Sequence, residues 1–207
     1  MGISLWLVPH GEEAVQLSHL MAQHRPKPSP DSTSYPTFYP HITLASVPAS
    51  IDVLALREAI PISHSVLPVR FAAVAAGNHY FRSVYVAIQP STDLATLHGA
   101  VHEALGVEPR TPLFPHMSLY YIDDKDEQAF DERERALADL VSRGVVLDDE
   151  QGGVALDCVA GDPNVDPQVA GTKLSGFVGS EIWIVKCEGP VEEWEVLDKI
   201  MLATKKH

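Results

Sequence analysis

Two short segments of the sequence share one pattern of residue types: Pro-His-Ile-Thr-Leu and, later in the chain, Pro-His-Met-Ser-Leu. In each segment a hydroxyl residue follows the histidine by two positions, as Thr43 follows His41 and Ser118 follows His116. Side chains at positions i and i+2 of a β-strand lie on the same face. If both segments are strands, each presents an imidazole beside a hydroxyl group and turns its apolar residues toward the core.

These residue types suit the hydrolysis of a phosphodiester without a metal ion. The unperturbed pKa of an imidazole lies near neutrality, so one histidine can accept a proton from water while the other donates one to the leaving oxygen. Hydroxyl groups can donate hydrogen bonds to the non-bridging phosphate oxygens, where negative charge develops. The chemistry requires the two strands to lie side by side, as they do when two half-folds are related by a pseudo-twofold axis.

Three other interpretations of the motifs are open at this point. The chain has ten histidines, so one His-x-Ser/Thr match could arise by chance, although the shared proline and leucine are not expected from composition. Each histidine could be a structural residue at the start of a strand. A metal site is the third interpretation, but two histidines without an Asp, Glu or Cys at matched spacing are too few ligands. His98 and His102, one turn apart on a predicted helix, likewise lack a third ligand.

The composition limits the class of ligand. The 207 residues include 28 acidic and 15 basic side chains, which give a net charge of −13, and no lysine or arginine cluster is present. Because long nucleic acids are held largely through phosphate neutralisation, we expect neither a duplex nor a long single strand as partner. A small phosphorylated ligand needs only a few local donors and is compatible with this charge. Cys158 and Cys187 have no metal-type spacing and are predicted to be free and buried.

Hydrophobic periodicity predicts alternating strands and helices, which is an α+β plan in two similar halves within one domain, residues 1–207. Strands are predicted at residues 3–8, 41–47, 114–122 and 181–186, with a last strand at 191–197. Helices are predicted at 12–24, 93–105 and 125–143, with a short helix ending near Ala59, and Val15 is placed on the apolar side of the first. Two apolar runs, 66–76 and 80–89, indicate a hairpin that turns at Gly77 and Asn78. Residues 25–36 are predicted to form a loop, and 148–172 a surface excursion with a short strand at 154–159.

With these motifs in place, the chain resembles the two-histidine phosphoesterases, and in particular their cyclic nucleotide phosphodiesterase branch of fungi and plants. The resemblance covers most of the chain. It is carried by the segments SLWLVP, FYPHITLAS, GNHYFRSVYVAI, TPLFPHMSLYY, WIVKCEG and EEWEV. Residues 25–36 and 148–172 depart from the family pattern, so no function is assigned to them.

The resemblance implies a bilobal fold in which two pseudo-symmetric lobes, with antiparallel sheets and outer helices, flank a central cleft. It also implies hydrolysis of ADP-ribose 1″,2″-cyclic phosphate to the 1″-phosphate, a step linked to tRNA splicing, and opening of nucleoside 2′,3′-cyclic phosphates to 2′-phosphates. No metal and no cofactor are expected. By similarity His116 is the general base and His41 the general acid, while Thr43 and Ser118 bind the phosphate.

Two aromatic residues are expected to bind the nucleoside. Trp6 and Tyr121 match aromatic residues of the family, and stacking on a base is worth about 1 to 3 kcal/mol. Strand alternation favours Tyr120 over Tyr121, since Tyr120 shares the face of His116, so Tyr121 requires the strand to bend or end there. Packing in the core is the alternative role for both aromatics.

The implied binding partner is a small cyclic nucleotide, and no association with a membrane is expected. The protein is expected to be a monomer inside the cell, in the cytoplasm or at the Golgi. Two other functions are compatible with the sequence. One is the processing of RNA ends, including 2′,5′-phosphodiester ligation or hydrolysis, although this role calls for a basic track. The other is a non-catalytic nucleotide-binding module.

Overall fold

The fold is known from a computed structural model that describes residues 2–27, 32–61, 65–109, 114–124, 129–162 and 173–203. Its α-helices are α1 (Gly11–Gln23), α2 (Val53–Glu58), α3 (Thr92–Leu105) and α4 (Ala129–Ser142). Its strands are β1 (Ile3–Val8), β2 (Ile42–Val47), β3 (Leu67–His79), β4 (Arg82–Ile88), β5 (His116–Tyr120), β6 (Val146–Asp148), β7 (Val154–Asp157), β8 (Lys173–Leu174), β9 (Gly176–Gly179), β10 (Glu181–Lys186) and β11 (Glu195–Met201).

The two motif strands are neighbours in one eight-stranded sheet with the order β11-β10-β1-β2-β5-β4-β3-β9. Every pair of neighbours in this sheet is antiparallel. The motif strands β2 and β5 meet at the centre, where Ile42 is paired with Met117. The sheet therefore consists of two four-stranded halves that join at the motifs, which confirms the predicted α+β architecture.

Each half builds its motif strand in the same way. The unit β1-α1-β2 in one half corresponds to β4-α3-β5 in the other, since each runs from an inner strand through a helix to a motif strand. The helix α3 is capped at both ends: the Ser91 hydroxyl accepts a hydrogen bond from the backbone N–H of Leu94, and Gly106 ends the helix in the left-handed conformation. These connections bring the two motif strands into the centre of the sheet.

Apolar side chains bury one side of each helix against the sheet. In α1 the buried residues are Ala14, Leu17, Leu20 and Met21. The placement of Val15 on this side was wrong, because its side chain is 69% exposed. None of the described helices combines the length and the apolar character needed to cross a membrane.

The central hairpin turns later than the sequence pattern indicates. Gly77 and Asn78 lie inside β3, and the turn is made by Tyr80 and Phe81. A Cβ atom on Gly77 would lie 2.1 Å from the carbonyl oxygen of Arg82, so the glycine permits a close approach of the two strands rather than a turn.

The short strand predicted within the 148–172 segment is present as β7, which pairs with β6 and β8 in a three-stranded sheet, and residues 163–172 lie outside the described residues. The last strand begins later than predicted: a 3-10 turn at Val191–Glu193 precedes β11. Within the predicted loop, residues 32–36 have no regular secondary structure, and residues 28–31 are outside the described part.

Candidate active site

A cavity of about 330 Å³ opens where the two motif strands meet. His41, Thr43, His116 and Ser118 all line it. This volume is at the lower end of the range for small-molecule sites, about 300 to 1,000 Å³. The structure thus brings the four predicted motif residues to one site large enough for a nucleotide.

A β-bulge in the first motif strand determines which of its residues reach the cavity. Leu5 and Trp6, consecutive in β1, pair with Ala45 and Thr43, so β2 has one extra residue at this point. The extra residue shifts the alternation of side chains between the two faces. As a result Ser46 lines the cavity together with Thr43, although three positions separate them.

The second motif strand has a bulge at the equivalent position. Val84 and Tyr85, consecutive in β4, pair with Tyr120 and Ser118. Tyr120 is therefore buried in the core, and Tyr121 lines the cavity. The strand ends at Tyr120, so the conflict between alternation and family resemblance is resolved by the bulge in favour of Tyr121.

His41 is held on two sides and is only 5% exposed. Its ring stacks on Trp6, with the ring centroids 3.7 Å apart and the planes 9° from parallel. Its Nδ1 lies 2.7 Å from the carbonyl oxygen of Tyr39. A carbonyl only accepts, so Nδ1 carries the proton, and neutral His41 presents an unprotonated Nε2.

The protonation state of His41 follows from the same surroundings. Burial lowers the pKa of His41 to about 4, the hydrogen bond to Tyr39 opposes this shift, and the nearby His116 adds to it. In the absence of ligand, His41 is therefore neutral at pH 7.

His116 occupies the corresponding position in the other half. The ring of Tyr85 contacts it edge-on, at a centroid distance of 5.6 Å and an interplanar angle of 75°. Tyr85 and Trp6 are equivalent, because each is paired with the hydroxyl residue of its neighbouring motif strand. An aromatic residue thus contacts each imidazole, but His116 is only half-buried whereas His41 is buried. This difference gives two like residues unequal electrostatic surroundings.

The motif hydroxyls of Thr43 and Ser118 both line the cavity. Ser118 donates a hydrogen bond from Oγ to the carbonyl oxygen of Phe81 at 2.7 Å. Rotation about the Cβ–Oγ bond would redirect this hydrogen toward a ligand in the cavity, because a hydroxyl hydrogen adjusts to its acceptor. Thr43 lies half-buried on the equivalent position of β2.

The two aromatic residues that were expected to bind a nucleoside lie in the cavity wall, and each is largely engaged with the protein. Trp6 is 4% exposed and uses one face on His41. Tyr121 is 3% exposed and stacks on Phe38, with centroids 4.0 Å apart. Trp194 approaches both, at 5.9 Å from Trp6 and 6.3 Å from Tyr121. The cavity therefore has an aromatic wall in which Trp194, half-buried, is the most exposed of the three rings, while packing in the core takes up most of Trp6 and Tyr121.

Sequence reasoning missed several residues of the cavity. Ser46 could have been found by aligning the two motifs, since it stands five positions after His41 as Tyr121 stands five after His116. The other missed cavity residues lie in the segments that resemble the family, where no role was assigned to them, or at the start of the chain. These are Gly2, Ser4, His79, Phe81, Arg82, Cys187 and Trp194.

The two cysteines do not add a nucleophile or a metal ligand set. Cys158 and Cys187 are free and buried, as predicted. Burial raises the pKa of the Cys187 thiol to about 11, so it is protonated at neutral pH. Across the described residues, no three His, Cys, Asp or Glu side chains are grouped as metal ligands, and His98 with His102 forms only a ring contact at 4.2 Å.

Comparison with protein families decides the class of this molecule. The model of the family "cyclic phosphodiesterase-like protein" matches residues 1–202. The chain belongs to this family. The resemblance on which the sequence analysis relied is thereby confirmed.

Members and structural neighbours of the cyclic phosphodiesterase-like family agree with this assignment. A 2′,3′-cyclic-nucleotide 3′-phosphodiesterase of Yarrowia lipolytica is 26% identical over 244 residues, covering 95% of this chain and 98% of the relative. A protein of the same name from Kluyveromyces lactis is 24% identical, covering 97% and 98%. Escherichia coli LigT complexed with 3′-AMP matches with a TM-score of 0.54 at 15% identity, over 99% of this chain and 98% of LigT. The likeness to LigT shows the shared two-histidine phosphoesterase fold.

Proposed function

We propose that the protein is a metal-independent hydrolase that opens nucleoside 2′,3′-cyclic phosphates to 2′-phosphates. The observation that carries this proposal is the meeting of two imidazoles and two hydroxyl groups in one cavity. The names of the two fungal relatives support the same activity. Four small donors suit one phosphate group and require no basic surface, in agreement with the net charge of −13.

The proposed reaction is an in-line displacement at phosphorus. A water molecule loses a proton to one imidazole and attacks the phosphorus, and the bond from phosphorus to the 3′ oxygen breaks as the other imidazole protonates that oxygen. Thr43 and Ser118 donate to the non-bridging oxygens and stabilise the developing charge. Following the family resemblance, we assign the base to His116 and the acid to His41.

The acid role of His41 requires that a ligand changes its protonation. The free side chain has a pKa of about 4 and is neutral at pH 7, whereas an acid must carry a proton. A bound phosphate supplies a negative charge that favours the imidazolium and therefore raises the pKa. If ligand binding did not have this effect, His41 would be the base.

A titration by NMR tests this step. In the free protein we expect the His41 ring to titrate near pH 4, and with a saturating nucleoside 2′-phosphate we expect its pKa to rise toward neutrality. His41→Ala identifies the resonance, and the same nucleoside without phosphate is the ligand control. If the pKa of His41 is the same with and without the nucleoside 2′-phosphate, His41 is not the acid, and His41 and His116 exchange the roles of acid and base.

The narrower substrate that we propose is ADP-ribose 1″,2″-cyclic phosphate, opened to the 1″-phosphate as in the processing of the tRNA-splicing by-product. Its support is the family resemblance along most of the chain. The same cavity would take both substrates, because each presents one cyclic phosphate fused to a ribose. We propose that the protein acts on these small molecules as a monomer.

The activity is tested with purified protein in excess EDTA. We expect nucleoside 2′,3′-cyclic phosphates to be hydrolysed at an unchanged rate, because the proposed proton transfers use only imidazoles. A preparation of the same protein with added Mg²⁺ or Zn²⁺ is the comparison. Loss of turnover in EDTA, or calorimetric binding of a 2′-phosphonucleotide without any turnover, would overturn the proposal.

A further inference from the structure

Two side chains at the tip of the β3–β4 hairpin, one arginine and one histidine, line the cavity and can donate hydrogen bonds to a ligand. His79 and Arg82 are paired across the two-residue turn, and both line the cavity. Directly opposed residues of an antiparallel pair have their Cβ atoms about 4.5 to 5.5 Å apart. Their side chains can therefore reach one ligand group together.

Arg82 is available for a ligand because its charge has no ionic partner. Within the part of the chain that the structure describes, Arg57, Arg70, Arg133 and Arg143 pair with carboxylates, whereas Arg25, Arg82 and Arg135 form no ion pair. Of these three, only Arg82 lines the cavity. It is also the only lysine or arginine among the described lining residues. In a protein with a net charge of −13, an unpaired arginine facing a cavity indicates that the cavity receives an anion.

The guanidinium group is held in place by the hairpin. Its Nη2 donates to Oδ1 of Asn78 at 3.1 Å, and its centre lies 5.8 Å from the ring centroid of Tyr85. Its Nε is buried without a hydrogen-bond partner, and a Cβ atom on Gly77 would lie 3.4 Å from it. Because Nε is buried, an anionic ligand would not bond to Nε itself, but it would compensate the delocalised positive charge through the accessible N–H groups of the guanidinium.

His79 adds a second donor at the same tip. Its Nδ1 accepts a hydrogen bond from the backbone N–H of Phe81 at 3.3 Å. The neutral ring therefore carries its proton on Nε2.

Three carboxylates lie near this tip, since, next to burial, the charges of Glu192, Asp123 and Asp124 each act to raise the pKa of Tyr80. Asp124 accepts from the backbone N–H of Tyr80 and pairs with Arg133, and Asp123 accepts from the Thr33 hydroxyl, so neither of these two is paired with Arg82 or His79.

The backbone of this pair lies away from the imidazoles along the sheet. His116 is paired with Ala87, which is five residues from Arg82 along β4. At about 3.3 Å per residue the two backbone positions are about 16 Å apart along the strand. The Arg82 side chain reaches back toward His116: its guanidinium centre lies 5.8 Å from the ring centroid of Tyr85, which lies 5.6 Å from the ring centroid of His116, so guanidinium and imidazole are at most about 11 Å apart. A span of this size admits a ribose between a phosphate at the imidazoles and a second phosphate at Arg82.

We propose that Arg82 and His79 bind a second phosphoryl group of the substrate, so that the enzyme selects cyclic phosphates that carry a further phosphate or diphosphate on the far side of the ribose. This inference rests on the proposed function. It applies equally to a 5′-phosphorylated nucleoside cyclic phosphate and to a diphosphate-bearing compound such as the ADP-ribose cyclic phosphate.

The test compares two substrates that differ only in the second phosphate: adenosine 2′,3′-cyclic phosphate and its 5′-phosphorylated form. For the wild-type protein we expect kcat/KM to be at least about tenfold higher for the 5′-phosphorylated form, through a lower KM, as expected for a charge-assisted hydrogen bond. In Arg82→Gln the ratio of the two kcat/KM values should fall to about one. Arg82→Lys should keep part of the preference, and His79→Asn should reduce it.

The control is Arg143→Gln, which removes an equal charge from the exposed end of α4, where Arg143 pairs with Asp139. Its ratio should equal that of the wild type. A wild-type ratio near one, or an equal loss of kcat/KM for both substrates in Arg82→Gln, would overturn the second site while leaving the phosphodiesterase intact.

If the wild-type protein hydrolyses neither substrate, the proposed function fails and binding still tests the anion site. Calorimetry with adenosine 2′,5′-bisphosphate and adenosine 2′-phosphate should then show tighter binding of the bisphosphate, and Arg82→Gln should abolish the difference. Equal affinities in the wild-type protein would remove the second site as well. Thermal unfolding of each variant verifies that it is folded.

Discussion

Replacing either His41 or His116 with alanine is expected to lower kcat for a nucleoside 2′,3′-cyclic phosphate by about 10²- to 10⁴-fold. Each substitution removes one proton transfer from the displacement and leaves the aromatic wall of the cavity in place. KM should change much less than kcat, because both variants keep Thr43 and Ser118, the proposed phosphate ligands. Steady-state kinetics on both single variants measures the effect.

The double variant makes the test sharper. If the two imidazoles act in one displacement, removing both should cost less than the product of the two single losses, because residues that act as a unit are not additive. His19→Ala is a matched control, since His19 is an exposed histidine on α1 that pairs with Asp162 and does not line the cavity. Single variants that keep nearly wild-type kcat would show that the paired motif is structural.

The chemistry-bearing strands could be predicted because their signal is local and repeated. A strand needs only a few residues to set its two faces, so a histidine and a hydroxyl two positions apart are placed by the strand itself. The order of strands and helices along the chain indicates two similar half-folds, and a pseudo-twofold axis between them brings their motif strands together. The pairing of Ile42 with Met117 fulfils that expectation.

The bulges could not be read from alternation alone. An extra residue in a strand is specified by how its neighbour packs, and the side-chain period of two then fails over a single step. Counting from His116 puts Tyr120 in the cavity, whereas the bulge puts Tyr121 there. The family resemblance supplied the correct residue, Tyr121, and the same irregularity places Ser46 in the cavity from the first half.

The hairpin tip shows a second limit. Gly77 and Asn78 have the residue types of a tight turn, but turn propensity competes with strand pairing that depends on distant residues. The glycine is needed where β3 approaches the backbone of Arg82. With the turn at Tyr80 and Phe81, His79 and Arg82 become opposed residues at the cavity, and no local pattern in the sequence indicates this.

Replacing Arg133 with methionine is expected to lower the free energy of unfolding by about 2 to 4 kcal/mol. Arg133 extends from α4 and is only 3% exposed. Its Nε donates to Oγ of Ser83 at 3.1 Å and its Nη2 to the carbonyl oxygen of Ile122 at 3.0 Å, both buried. Its ion pair with Asp124 contributes little, because that carboxylate is 47% exposed.

The expected loss follows from where these acceptors lie. Ser83 is the second residue of β4, directly after Arg82 at the hairpin tip, and Ile122 comes directly after the cavity residue Tyr121. Methionine fills much of the same volume but donates no hydrogen bond, so the two acceptors lose a charged donor and keep only the hydrogen bonds between Ser83 and Ile122. Chemical denaturation followed by circular dichroism measures the change.

Arg135→Met is the matched control, because Arg135 lies on the same helix, is exposed, and donates only to the backbone carbonyl oxygen of Asp131. This variant should differ from the wild type by no more than about 0.5 kcal/mol. Equal unfolding midpoints for the two variants would mean that the hydrogen bonds between Ser83 and Ile122 suffice without Arg133. In that case α4 would not fix the position of the hairpin tip, and the orientation of His79 and Arg82 would depend on β3 and β4 alone.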